Sequence, residues 1–197
     1  MFAFWPNDRT PSHLIFCIEG AREDLGTFLP GGLVKKFNPA VQRIRLSDGS
    51  VETVLRGMSR CDGIRRTPWG TILATEETTD GGAYEILNPM RTTNYTVQDR
   101  ATGAIIDENG MPSTSEVAKR PALPTMAWEG LAVLKSGVVI AGDELRPGSP
   151  ADADGGAIFK FVPANPRPVP AVASPSEWDD NVFIDSLNQS PLVAGNV

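Results

Sequence analysis

Apolar residues along this chain fall in short runs punctuated by Gly, Pro and acidic positions, and no stretch sustains the roughly 3.6-residue spacing of an amphipathic helix. Short apolar runs bounded by turn residues predict strands. Three nine-residue segments, 31–39, 81–89 and 155–163, each open on a glycine pair (Gly31-Gly32, Gly81-Gly82, Gly155-Gly156) and close on a proline (Pro39, Pro89, Pro163). With an apolar, partly aromatic middle, each reads as a strand between a glycine turn and a proline stop. Upstream of each lies a second apolar run that ends in acid: Glu19 closes residues 15–19, Glu76-Glu77 closes 72–77, and Asp143-Glu144 closes 139–144. Residues 41–46 and 51–55, separated by Ser47-Asp48-Gly49-Ser50, form a further strand, turn and strand.

The second and third copies extend further in strict register. Cys61-Asp62-Gly63, Gly70 and Glu76-Glu77 recur at a constant offset of 67 as Trp128-Glu129-Gly130, Gly137 and Asp143-Glu144. Between the acidic pair and the glycine pair the third copy carries a longer loop, residues 145–154, as insertions in repeats do. The pattern predicts an all-β chain of three repeat units, 1–55, 56–93 and 125–163, with a surface excursion over 94–124 and a connector and tail over 164–197. Residues 178–183 of that tail resemble the start of another unit. Short strands repeated radially are the pattern of β-propeller blades. A sandwich of unrelated hairpins is the alternative, and the constant register argues against it. The first unit is expected to lack its inner motif because Met1 falls too late, and three units are too few to close a propeller, so the rest of a ring is expected outside this chain.

Composition narrows the chemistry. Among 197 residues, 18 Lys+Arg face 24 Asp+Glu, a net charge of −6 that disfavours a nucleic-acid backbone binder. No apolar run approaches the roughly 18 residues of a membrane span, and the N-terminus lacks the basic, apolar, small-residue order of a signal peptide. A single histidine, His13, excludes a three-His zinc centre and leaves carboxylates to run metal or acid-base chemistry. The two cysteines, Cys17 and Cys61, leave their connectivity open.

In a propeller the inner strands of successive blades line one channel, so equivalent positions converge. The register would then bring Cys61 and Asp62 near Trp128 and Glu129, and Glu76-Glu77 near Asp143-Glu144. Crowded carboxylates repel unless cations neutralise them. Calcium suits such an oxygen-rich lining, and a thiolate invites a softer metal such as iron. Against this stand plainer readings: acidic pairs as solvated turns, Cys61 as a small buried residue, Trp69 and Trp128 as packing residues. Arg65-Arg66 could meet an anionic substrate or lie in a solvated turn.

Residues 61–77, with Cys61 ahead of Thr67-Pro68-Trp69-Gly70-Thr71 and then Glu76-Glu77, resemble the signature of the PhoX-type alkaline phosphatases and their wider family. Trp128-Glu129-Gly130, Gly142-Asp143-Glu144 and Phe159-Lys160-Phe161-Val162 are similar to that family's His-Glu-Gly, Gly-Asp-Asp and Tyr-Lys-Phe-Val elements, so the likeness covers roughly residues 10–163. The resemblance implies a periplasmic or secreted β-propeller phosphomonoesterase that hydrolyses small phosphoesters at a calcium and iron cluster. By that analogy Cys61 ligates iron, Glu77 and Glu129 bind iron or calcium, and Glu76, Asp143 and Glu144 hold or orient calcium. Asp62, Arg65, Arg66 and Trp128 would lie around the metals or the substrate. Trp128 stands where the family has His, and the family's later Arg-Pro-Glu element has no counterpart here. A calcium-binding propeller without catalysis is the alternative.

Overall fold

The computed structural model describes residues 1–27, 34–145, 147–148, 155–168 and 184–197. These are all-β, 46% strand, with no α-helix among them. Among the described residues no helix is long and apolar enough to cross a membrane. The glycine pair at 31–32 and the possible unit start at 178–183, both expected from the sequence, lie outside the described residues, as does most of the third unit's longer loop.

The first unit runs β1 (Phe2–Trp5), β2 (His13–Cys17), β3 (Asp24–Thr27), β4 (Lys35–Phe37), β5 (Pro39–Arg45) and β6 (Val51–Arg56). Sheet one is ordered β1-β2-β5-β6, while β3 and β4 form a separate two-stranded ribbon. β1, which carries no copy of the Cys61-Asp62-Gly63 motif, pairs antiparallel with β2 from Phe2↔Phe16 to Trp5↔His13. One expectation is corrected. Pro39 starts β5 rather than stopping a strand, because proline lacks only the N–H and is tolerated at a strand's first residue.

The second unit places β7 (Cys61–Arg66), β8 (Ile72–Glu76) and β9 (Ala83–Ile86), followed by β10 (Tyr95–Asp99), β11 (Ala104–Ile106) and β12 (Val117–Lys119). Sheet two is β7-β8-β9-β12. Residues 94–124 are therefore no surface excursion: β12 completes sheet two, and β10-β11 extend sheet one beyond β6. Val97, Ile105 and Val117 are buried, which draws the segment into the body of the protein. The third unit places β13 (Trp128–Val133), β14 (Val139–Asp143), β15 (Ile158–Pro163) and, from the tail, β16 (Gly195–Asn196) in sheet three, ordered β13-β14-β15-β16.

The 67-residue register is reproduced strand for strand. Cys61↔Glu76, Ile64↔Ala74 and Arg66↔Ile72 become Trp128↔Asp143, Leu131↔Ala141 and Val133↔Val139, with a bulge at the same place in each. The third strands follow with one difference. Ala74 pairs Tyr84 and Ala141 pairs Phe159, so the structural equivalent of Ala83 is Ile158, one residue beyond the position that alignment of the glycine pairs gives.

Sheet two is covered on both faces, which explains why β8 and β9 are buried at every position. Ile72, Ala74, Tyr84 and Ile86 join Ala3, Trp5, Ile15 and Leu55 in a core shared with sheet one. On the other face Trp69, Leu73 and Ala83 join Trp128, Leu131, Val139 and Phe161 of sheet three. Each large apolar side chain so buried contributes about 1.5–3 kcal/mol. Gly63 makes the second approach possible: a Cβ there would meet Leu131 Cδ2 at 2.6 Å and Thr75 Oγ1 at 2.3 Å.

Candidate functional site

Successive residues at the end of a strand point to opposite sides, and the two acidic pairs divide their labour accordingly. Glu76, the first acid of its pair, is 1% exposed and turns to the protein: its carboxylate accepts from Ser59 N (2.7 Å), Gly82 N (3.0 Å) and Arg100 Nε (2.7 Å). Asp143 does the same at the equivalent position, its Oδ1 accepting from Ala127 N and Leu145 N, both at 3.2 Å. The second acids, Glu77 and Glu144, face a common cleft, joined there by Glu129 from β13. One carboxylate oxygen from each of the three lies within 4.8 Å of the others, and all three side chains are half-buried.

The cleft, about 620 Å³ in volume, is lined by Glu19, Arg60, Glu77, Thr78, Glu144 and Leu145 among others. Its acids come from equivalent places in all three sheets. The backbone N–H groups of Ile18, Glu76 and Asp143 donate to Ala40, Gly82 and Ala157, so Glu19, Glu77 and Glu144 each follow the same ladder position. A shared hydrogen bond with Glu144, then burial and the charges of Glu144 and Glu19, push the Glu77 carboxyl up to about 8. Burial, followed by the charges of Asp62 and Glu144, raises the Glu129 carboxyl. Asp62, half-buried on β7, is a hydrogen-bonding neighbour of Glu129 and accepts from the Met1 amino group at 3.3 Å.

Of the residues expected at the site, Glu77, Glu129 and Glu144 are brought together with Asp62 beside them, while Glu76 and Asp143 build the walls. Cys61 is fully buried and its sulfur is bonded to that of Cys17, so in this state it has no thiolate to offer a metal. The bridge links β2 to β7, neighbouring sheets whose pairing no spacing in the sequence could announce. Trp128 is 0% exposed; its Nε1 donates to Gly81 O at 3.3 Å and its ring belongs to the core between sheets two and three. Arg65 and Arg66 lie at the far end of β7, opposite Leu73 and Ile72, about 13 and about 17 Å of strand from Cys61 at roughly 3.3 Å per residue. They do not line the cleft.

Two charged lining residues escaped the sequence reading. Glu19 carried a usable signal, an acid closing an apolar run like the other two. Arg60 carried a weaker one, its place 67 residues before Ala127. Arg60 is exposed and holds a left-handed backbone, φ 48°, rare for a residue with a side chain. Its carbonyl accepts from Glu77 N and its own N–H donates to Gly20 O, which knits the rims of sheets one and two together at the cleft.

Carboxylates so arranged can bind a hard cation through oxygen. Comparisons with protein-family models, with curated proteins and with solved structures gave no match.

Proposed function

We propose that this cleft is a calcium site and that the chain is part of a β-propeller phosphomonoesterase of the PhoX type, its three larger sheets serving as successive blades. The observation that carries the reading is the approach of Glu77, Glu129 and Glu144 within 4.8 Å. Half-buried carboxylates held that close repel one another, as the raised Glu77 and Glu129 carboxyls record, and a divalent cation removes the repulsion. With the Cys61 sulfur engaged by Cys17, the donors are all oxygens, which favours calcium over iron. The disulfide also suits the oxidising compartment that the resemblance implies.

Bound there, the cation would neutralise phosphoryl oxygens and polarise the phosphorus–oxygen bond of a small phosphoester. Arg60, on the rim of the same cleft, supplies a guanidinium suited to charge-assisted hydrogen bonds with the same group. Thr78, Thr79 and Ala127 also line the cleft. A second reading, a calcium-binding module without catalysis, is favoured by one observation: Trp128, at the position where the family carries His, is sealed in the core.

Calcium titration by calorimetry and hydrolysis of p-nitrophenyl phosphate test both. Calcium binding that is lost in Glu77→Gln and Glu144→Gln, with calcium-dependent hydrolysis, is the expected result. Binding without hydrolysis selects the second reading, and absence of calcium binding overturns both.

A further inference from the structure

Three arginines drawn into this protein meet carboxylates: Arg43 pairs with Glu52 at 2.9 Å, Arg100 with Glu76 at 2.7 Å and Arg120 with Glu85 at 2.6 Å. Arg22 instead stacks on Phe37 and donates from Nε and Nη2 to the carbonyls of Gly57, Val97 and Gln98. Arg56, half-buried at the end of β6, has neither arrangement. Its Nε donates to Asn94 Oδ1 and its Nη1 to Phe37 O, both at 3.2 Å, whereas Nη2 makes no hydrogen bond among the described residues. No carboxylate there forms an ion pair with it, and burial pulls its guanidinium below its ordinary value.

Arg56 lines a cavity of about 290 Å³ together with Lys36, Asn94, Thr96 and Glu108. The cavity lies where β6 and β10 pair in parallel, with Thr96 beside Arg56, and among the described residues it shares no lining residue with the acidic cleft. Asn94 holds a left-handed backbone, φ 55°. An arginine nitrogen only donates, so the side-chain oxygen of Asn94 faces Arg56, and its Nδ2, which makes no hydrogen bond among the described residues, is left to a ligand. Lys36 and Glu108 are both exposed, and neither forms an ion pair among the described residues.

Three donor side chains, Arg56, Lys36 and Asn94, thus stand around one cavity with a single carboxylate, Glu108. Hydrogenphosphate is the complement of that set, with three oxygens that accept and one hydroxyl that donates. We infer that this cavity binds free phosphate, its three bare oxygens taken by Arg56, Lys36 and Asn94 and its hydroxyl donating to Glu108. Glu108 then selects as well as binds. Sulfate and the dianion of a phosphomonoester have no proton to give, and each would set a bare oxygen against a carboxylate. The inference is independent of the calcium site.

Calorimetric titration of the whole chain with sodium phosphate at about pH 7.5, in chelator so that no calcium occupies the cleft, tests this. Binding is expected in wild type, weakened about tenfold or more by Arg56→Gln and by Lys36→Ala, each a loss of one charge-assisted hydrogen bond. Lys36 is exposed, so its variant keeps the fold by circular dichroism and reports on the site even where Arg56→Gln does not. Sulfate and glycerol phosphate are expected to bind about tenfold or more weakly than phosphate, and Glu108→Gln to narrow that gap. Absence of phosphate binding overturns the inference. Binding that survives Lys36→Ala but is lost in Arg60→Gln overturns it too, since the phosphate would then sit in the acidic cleft. Sulfate or glycerol phosphate binding as tightly as phosphate overturns the assignment to free phosphate.

Discussion

Two groups of glutamates show opposite ways of keeping a carboxylate inside this protein. Glu85 is wholly buried, yet its oxygens are spoken for: Arg120 Nε donates at 2.6 Å, Trp69 Nε1 at 2.7 Å, Thr71 Oγ1 at 2.6 Å and Ser190 Oγ at 3.0 Å. Arg120 also donates to Leu187 O at 2.8 Å, so the pair ties the C-terminal segment to sheet two. Glu76, nearly as deep, has Arg100 and two backbone N–H groups. Glu77, Glu129 and Glu144 are less buried, and the groups that move the Glu77 and Glu129 carboxyls are burial and other carboxylates. Depth alone does not decide the fate of an acid; the sign of its neighbours does. A cation built into the chain makes a structural pair, whereas acids gathered around acids call for a cation from outside.

Breaking the internal pair should have the largest effect. Arg120→Met leaves Glu85 charged and uncompensated, with an expected loss of about 3–5 kcal/mol by chemical denaturation. The double variant Arg120→Met, Glu85→Gln should recover part of that loss, and failure to do so would mean the network rather than the charge matters. Next in size is the bridge that holds sheet one to sheet two beside the cleft. Replacing Cys17 and Cys61 by Ser opens a loop of sequence separation 44 and is expected to cost about 4 kcal/mol on the loop-entropy account. An unchanged denaturation midpoint would show that the sheets hold their spacing without it.

Smallest, and opposite in sign, is the effect at the cleft. The folded state raises the Glu77 carboxyl from 4.5 to about 8, so between these values the native protein binds more protons than the unfolded chain. Stability of the calcium-free protein should therefore fall as pH rises through that window and level off above it. Solvent in the open cleft makes the fall shallower than the shift alone would give. Glu77→Gln should flatten the fall and raise the denaturation midpoint above pH 8 relative to wild type, with the two converging near pH 4; calcium should do the same to wild type. A wild-type midpoint that rises across the window would contradict the repulsion at the heart of the comparison.

Much of the repeat was legible because repetition is itself a signal: β7 and β8 recur as β13 and β14 at one offset, with the bulge included. The acids at 77, 129 and 144 were legible for the same reason. Glu76 and Asp143 were indistinguishable from their neighbours in the sequence, since only the strand's alternation decides which acid of a pair meets backbone N–H groups and which meets the cleft. The outer strands were not legible. β12 has three residues and β16 two, too short to show alternation, and each gains its place from the strand already waiting beside it. The same holds for β1, whose role as an inner strand comes from its pairing with β2 rather than from any copy of the Cys61 motif.

By itself the sequence determined the strand periodicity, the glycine turns at Gly70 and Gly137 with their positive φ, and the recurrence of acids after the second strand of each unit. These are local properties, set by side-chain alternation and by which residues tolerate a turn. The tertiary structure alone decided that Cys17 meets Cys61, that Glu85 finds Arg120, that Trp128 is walled in, and that Glu19 joins the acids of the other two sheets. Each of these depends on which faces come together, and that choice belongs to the packing of one sheet on another, where residues far apart in the chain first acquire a common environment.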